Sequence, residues 1–196
     1  MNRLQLYLLL FSALAAQFSA CTVKKEPAGL IKPAYYDLET LLDKQVKLLT
    51  EKKAGVVKSN QQGSTVKETK TIGNINWSRE LDMFRQAAIN RPAWRTEFTA
   101  DSTTAANGQR TVTYRRNQDS DAPVEYLQVL LAADNSPLEV TAKLSSSNML
   151  FTTNKLLTMK FGPSEPKLLT EYSVAGSEDM VFSDAVNYAL RGNVTP

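Results

Sequence analysis

The strongest constraint on the fold is a change of hydrophobic period at Trp94. From that residue to the end of the chain, apolar and polar residues alternate, which is typical of strands with one buried face and one solvent-exposed face. Turn residues interrupt the alternation at 107–108, 134–137 and 162–164, where glycine, proline, asparagine and aspartate reverse a chain easily. The pattern predicts a curved antiparallel meander of about eight strands.

Two runs in this region depart from simple alternation. Residues 125–132 (EYLQVLLA) are apolar at positions that would face both sides of a sheet, which predicts a central strand covered on both faces. Residues 148–161 are longer than an ordinary strand, so a bend near Asn154 is expected.

A short internal echo lies near the C-terminus. The sequence EYSVAG at 171–176 recurs sixteen residues later as NYALRG at 187–192. Both copies are interpreted as strands that end in glycine, with a short strand at 180–182 between them. A helix capped by Ser183 fits the same stretch, so residues 178–192 remain either strands or a helix, with the echo favouring strands.

Helical periodicity is confined to two segments before the meander. Over residues 33–53, apolar side chains recur every three to four positions, which predicts a helix whose apolar stripe covers the sheet or pairs with a partner helix. Residues 77–90 form the second predicted helix, because Arg91 precedes a proline and ends it. Trp77 and Trp94 flank this segment and are interpreted as core residues.

The segment between the two predicted helices, residues 55–74, is polar and allows two structures. A hairpin that turns at 60–63 would make residues 65–72 an edge strand, and a loop fits equally well. The predicted fold is therefore a single α+β domain over residues 33–196, in which two N-terminal helices pack on the meander.

The first 21 residues have the layout of an export signal. Arg3 supplies a positive start, residues 4–16 are almost entirely apolar, and Ala20 precedes Cys21, the only cysteine of the chain. The apolar run is too short to span a bilayer but has the length of a secretory-signal core. An ordinary signal would be cut near Ala15 and would leave Cys21 as an unpaired thiol, which is chemically awkward in an exported protein.

A small residue directly before a lone cysteine resembles the lipobox of bacterial lipoproteins, although Phe18 stands where leucine is usual. The resemblance implies that residues 1–20 are removed as a signal peptide and that Cys21 is acylated, with palmitate among the expected chains. Residues 21–32 then form a lipidated tether, of which residues 22–32 would reach roughly 35 Å if fully extended at about 3.3 Å per residue. Thr22, rather than aspartate, follows the cysteine, which favours the outer membrane of the cell envelope over the inner membrane.

The residue types that the sequence lacks restrict the chemistry available to this protein. The chain contains no histidine, so Ser-His-Asp catalysis, Cys-His catalysis and histidine-based zinc sites are excluded. Ser64 and Lys67 spell the S-x-x-K motif of penicillin-binding proteins and β-lactamases, and residues 146–148 and 70–73 look like fragments of its companion motifs. The setting and spacing of these fragments favour a chance match.

Two acidic groups complete the candidate sites. Asp119 and Asp121 lie in a short loop that lacks the further oxygen ligands of a calcium site, and the loop is interpreted as a solvated turn. Glu97 and Glu139 would have to meet across strands to serve a carboxylate-based hydrolase. No catalytic residue, metal ligand or cofactor is therefore predicted, and lipidation at Cys21 is the one predicted site.

Two hypotheses for the function follow. The chain has 23 Lys and Arg residues against 20 Asp and Glu, which gives no charge footprint for nucleic acid. The anchor, the short tether and the absent catalytic groups favour a non-catalytic module that binds or assembles with an envelope protein. The alternative is a carrier or sensor of a lipid-like ligand, for which an apolar cavity near residues 126–131 is expected.

Overall fold

The computed structural model describes residues 33–63, 65–181 and 183–195. The predicted signal peptide, the tether and the lipidation site at Cys21 lie outside the described residues. The elements are, in chain order, α1 Leu38–Glu51, β1 Gly55–Gln62, β2 Thr65–Ile72, α2 Trp77–Glu80, two 3₁₀ helices Asp82–Ala87 and Pro92–Trp94, β3 Phe98–Thr104, β4 Arg110–Arg116, β5 Val124–Leu131, β6 Pro137–Ser147, β7 Phe151–Phe161, β8 Leu169–Met180 and β9 Ser183–Thr195.

The strands form one antiparallel sheet of nine strands in the order β2-β1-β9-β8-β7-β6-β5-β4-β3. Strands β3 to β9 make the predicted meander, since each pairs with its neighbour in sequence. The remaining two strands, β1 and β2, form the hairpin that was one of two alternatives for residues 55–74. Because β1 pairs with β9, this hairpin extends the same sheet, and the fold is a sheet-dominant α+β fold.

The prediction that two N-terminal helices pack on the meander is wrong. α1 begins after Asp37, whose carboxylate Oδ1 accepts the backbone N–H of Thr40 at 3.0 Å. The helix predicted over residues 77–90 is instead the four-residue α2 followed by a 3₁₀ helix, and the β1–β2 hairpin separates it from α1 in the chain. The physical reason lies in the spacing of the buried residues 81, 84 and 87, because three residues per turn keep all three on one side.

One face of the sheet, the inner face, is packed against these helical segments. The ring of Phe84 in the 3₁₀ helix meets the ring of Tyr172 in β8 edge-on, with centroids 6.0 Å apart. Trp77 is buried as predicted, and its indole N–H donates to the carbonyl of Ala54 at 3.0 Å. The inner-face residues that complete the core are Leu127, Val129, Val140, Ala142, Leu157, Met159, Leu169 and Val174.

Within the run at residues 125–132, Leu127, Val129 and Leu131 are buried, whereas Tyr126, Gln128 and Leu130 on the other face are half-buried. The pairing of β5 with β6 shifts register between Val124 and Tyr126, so Val124 and Leu127 are both buried despite their odd spacing. The strand is central in the sense predicted, since β4 and β6 pair on either side of it, but its second face is half-buried rather than covered. The predicted bend near Asn154 is wrong, since β7 pairs with β8 without a shift until Lys160.

The C-terminal echo is explained by the pairing of β8 with β9, which confirms strands rather than a helix. Tyr172 pairs with Gly192, and Gly176 pairs with Tyr188. A Cβ atom at either glycine would overlap the ring of its partner tyrosine, so each ring lies over the glycine of the other strand. The two copies of the echo therefore supply one aromatic ring and one glycine each to a reciprocal pair.

Candidate functional site

The helical segments leave part of the inner face uncovered, at the end of the sheet where β7 begins and β6 and β8 end. The inner face continues there through two rows of paired residues. One row contains Leu144 and Lys155, and the other contains Ser146 and Thr153. A groove with a volume of about 380 Å³ lies over these rows, and we call it the inner-face groove. Its lining residues are Gln86, Arg91, Pro123, Leu144, Ser145, Ser146, Phe151, Thr153 and Lys155.

Two cationic side chains, Arg91 and Lys155, line this groove. Arg91 stacks on an aromatic ring, with its guanidinium carbon 4.6 Å from the centroid of Trp94. Within the described part of the chain, neither side chain forms an ion pair. The groove therefore presents two positive charges that are free to meet an anionic group.

Trp94 sets the position of Arg91. Its ring also packs against Phe98, with centroids 6.4 Å apart, and it is half-buried rather than fully buried. The prediction that Trp94 is a core residue is therefore correct only in part. The sequence was interpreted as ending a helix at Arg91, and that interpretation gave no sign that the arginine would face a groove.

The rest of the groove combines apolar and hydroxyl-bearing side chains. Leu144 is buried, whereas Phe151 is 42 % exposed at the outer rim. Ser146 and Thr153 pair across β6 and β7 and supply hydroxyl groups between the two cations and the rim. This arrangement suits a ligand that carries an anionic group next to an apolar one.

The fragments of the S-x-x-K signature are not brought together. Ser64 lies outside the described residues, and Lys67 lies in strand β2 rather than on a helix. The Ser146 to Asn148 fragment lies at the end of β6, five strand positions from β2 in the sheet. At about 4.8 Å per strand, that separation is about 24 Å, so no acylating serine site is assembled.

The acidic candidates are also separated. Glu139 lies near the start of β6 and pairs with Lys160 of β7, whereas Glu97 precedes β3 at the opposite end of the strands. In the loop between Asp119 and Asp121, the hydroxyl of Ser120 accepts the N–H of Ala122 at 3.2 Å, as expected for a turn. No group of three or more metal-ligating side chains occurs among the residues that the structure describes.

A second polar cluster, which the sequence interpretation missed, joins three elements beneath the helical layer. The hydroxyl of Tyr172 donates to Oε1 of Glu80 at 2.5 Å, and Nζ of Lys58 lies 2.8 Å from the same oxygen. Burial, followed by the hydrogen bond to Glu80, raises the pKa of Tyr172. The two contacts to Glu80 tie β1, α2 and β8 together.

Strand β5, as the structure describes it, gives no support to the apolar cavity expected near residues 126–131. Leu127, Val129 and Leu131 pack into the core, and the four described cavities are lined by other residues. The inner-face groove is the one of these four with two unpaired cations beside apolar side chains, so we take it as the candidate site.

Comparison with known proteins adds no relative to this description. The chain matches no protein-family model, no curated protein and no solved structure. In the part of the chain that the structure describes, no helix has the length and apolar character needed to cross a membrane.

Proposed function

We propose that this protein is a lipid-anchored, non-catalytic binding module of the bacterial cell envelope. Its inner-face groove would bind an acidic segment of another envelope protein. The observation that carries this proposal is that Arg91 and Lys155 line one groove without an ion-pair partner, beside the apolar side chains of Leu144 and Phe151.

The size of the groove favours a protein segment. A volume of about 380 Å³ is at the lower end of the range for small-molecule pockets. It is sufficient for one or two side chains of a partner. An aspartate or glutamate would meet the cations, and a neighbouring apolar side chain would cover Leu144 and Phe151. Charge-assisted hydrogen bonds to Arg91 are favoured because its stacking on Trp94 holds the guanidinium in place.

The proposed location rests on the N-terminal sequence. The apolar core at 4–16 and the lone Cys21 support an acylated anchor, and Thr22 supports the outer membrane. Incorporation of radiolabelled palmitate into the wild-type protein, and its loss in Cys21→Ser, would support the anchor. A Cys21→Ser variant that is processed and retained in the membrane as the wild type is would contradict it.

The binding proposal is tested by photo-crosslinking in intact cells. A photoreactive residue at Thr153 should give an adduct whose partner peptide, identified by mass spectrometry, is rich in aspartate or glutamate. Adding Arg91→Gln and Lys155→Gln should reduce the adduct by about tenfold or more, since each lost charge-assisted hydrogen bond contributes about 1.5–3 kcal/mol. Lys160→Gln, on the same strand but the opposite face, is the matched control and should leave the adduct unchanged.

Equal adduct yields in the double variant and in the Lys160→Gln control would overturn the proposal. Absence of any envelope-protein adduct from Thr153 would also overturn it, provided that the protein is present in the membrane fraction.

A carrier or sensor of a lipid-like ligand is the second candidate. It is favoured by Phe151, which lines the groove and belongs to a series of exposed apolar residues at the same end of the sheet. A curved sheet, which the sequence predicts, would also suit a carrier of this kind. Native mass spectrometry of the mature protein purified from a bacterial periplasm would support the carrier if a lipid-sized mass co-purified. A bare polypeptide mass would count against it.

A further inference from the structure

Two neighbouring hairpin turns expose large apolar side chains at one end of the sheet. The turn between β6 and β7 and the turn between β8 and β9 lie side by side, because the N–H of Val181 donates to the carbonyl of Leu150 at 3.1 Å. We call their apolar residues the tip patch. They are Met149 (92 % exposed), Leu150 (64 %), Met180 (49 %) and Val181 (62 %).

The composition of these turns is unusual for a solvent-exposed surface. Hairpin turns normally carry polar residues and glycine, and exposed apolar residues that cluster, rather than occur singly, mark an interaction site. Within the described residues, Met149 is the most exposed of the large apolar side chains. The tip patch protrudes at the ends of strands and does not line a closed cavity, so its shape suits insertion into the apolar interior of a lipid bilayer.

The N-terminal end of the domain lies at the same end of the sheet as the tip patch. The hydroxyl of Tyr35 hydrogen-bonds to the carbonyl of Arg95 at 2.7 Å and to the backbone of Phe98 at 3.3 Å. Phe98 begins β3, and Phe151 begins β7. Because alternate strands of an antiparallel sheet run in the same direction, β3 and β7 begin at the same end.

The distances allow one membrane to reach both features. β3 and β7 are four strand positions apart, which is about 19 Å at about 4.8 Å per strand. A fully extended chain from Cys21 to residue 32 would reach roughly 35 Å at about 3.3 Å per residue. A bilayer that held an acylated Cys21 would therefore be within reach of the tip patch.

We propose that the tip patch inserts into the bilayer that holds the lipid anchor, and this inference rests on the anchoring in the proposed function. The charged residues nearest to the patch along β8 and β9 are acidic, namely Glu178, Asp179 and Asp184, while Lys155 lies four residues into β7. Acidic neighbours are repelled by anionic head groups, so the expected surface is zwitterionic, as in a phosphatidylethanolamine bilayer.

The experiment uses full-length lipidated protein reconstituted into phosphatidylethanolamine–phosphatidylcholine vesicles. Since acylation blocks Cys21, one introduced cysteine can be labelled with an environment-sensitive fluorophore. Labels at Leu150→Cys and Val181→Cys should shift their emission to shorter wavelength, and lipids brominated in the acyl chains should quench them by at least half. The control is Ala106→Cys, an exposed site in the β3–β4 turn at the opposite end of the sheet, which should show neither effect.

The outcomes separate failure of the inference from failure of the proposed function. If the protein sediments with vesicles but labels at 150 and 181 behave as the label at 106 does, membrane docking of the tip patch is overturned and the anchor stands. If energy transfer between labelled copies accompanies an unquenched emission shift, a second copy covers the patch, which also overturns it. If wild-type Cys21 reacts with the fluorophore and the protein does not sediment, the anchor itself is wrong and the inference falls with it.

Discussion

Two tyrosine–glycine pairs show how single residues fix the register of the C-terminal strands. The ring of Tyr172 lies over Gly192, and the ring of Tyr188 lies over Gly176. Glycine weakens a strand because it has no side chain to pack, and an aromatic ring from the neighbouring strand covers that gap. Tyr172 is fully buried and held by Glu80, whereas Tyr188 is only half-buried.

The two glycines should respond differently to a methyl group. In Gly192→Ala, the new Cβ overlaps a ring that cannot move, so we expect the free energy of unfolding to fall by about 1–3 kcal/mol. In Gly176→Ala, the half-buried ring of Tyr188 can turn aside, and the loss should stay below about 1 kcal/mol. Urea unfolding of both variants measures this difference, and equal losses would show that the two rings are held equally.

At the scale of elements, α1 is joined to the sheet by a buried amide. The side chain of Gln45 is 1 % exposed. Its Nε2 donates to the carbonyl of Lys167 at 2.8 Å, and its Oε1 accepts the N–H of Leu169 at 2.9 Å. These bonds satisfy backbone groups at the start of β8 that the sheet leaves unpaired, and they fix where the helix lies on the inner face.

Replacing this amide by an apolar side chain of similar size should weaken the docking of α1. Gln45→Leu leaves the buried N–H of Leu169 without its acceptor, so we expect a loss of about 1–3 kcal/mol in the free energy of unfolding. Amide hydrogen exchange at Leu169 should accelerate in parallel. Lys44→Ala, at the exposed neighbouring position on α1, is the control and should change neither quantity. Unchanged exchange at Leu169 in Gln45→Leu would contradict the assigned role.

At the scale of the whole molecule, the half-buried Tyr36 and Tyr114 and the buried Tyr172 couple stability to alkaline pH. Burial, with smaller contributions from Tyr114 and Asp37, raises the pKa of Tyr36 to about 12. Burial also raises the pKa values of Tyr114 and Tyr172. Because an unfolded tyrosine titrates near pH 10, the folded state binds these protons more tightly than the unfolded state does.

The sign of the pH dependence follows from this difference. The stabilisation is fully present below about pH 10 and is lost as the pH rises toward 12, at about 1.4 kcal/mol per pH unit for Tyr36. Urea unfolding between pH 8 and 12, with tyrosinate absorbance followed in parallel, measures it. Tyr36→Phe should show a shallower decline than the wild type. A stability that stays constant up to pH 12 would contradict the assignment.

Local sequence was sufficient for the elements whose pattern repeats at short range. Alternation after Trp94 predicted the antiparallel meander because a strand with one buried face must alternate. The helix over 77–90 was predicted wrongly, since the spacing of its buried residues also fits the three residues per turn of a 3₁₀ helix. The bulge at Val124 was missed because its cause, the register with β6, lies on another strand.

Sequence alone is sufficient for the alternating period, for the turns at 107–108, 134–137 and 162–164, and for the lipobox-like residues before Cys21, because each depends on residues close together in the chain. The folded chain is needed to show that β1 pairs with β9, that Arg91 and Lys155 line one groove, and that two hairpin turns form one tip patch. These features join residues far apart in sequence, and strand pairing is selected by the packing of the whole inner face against the helical segments, which no local pattern records.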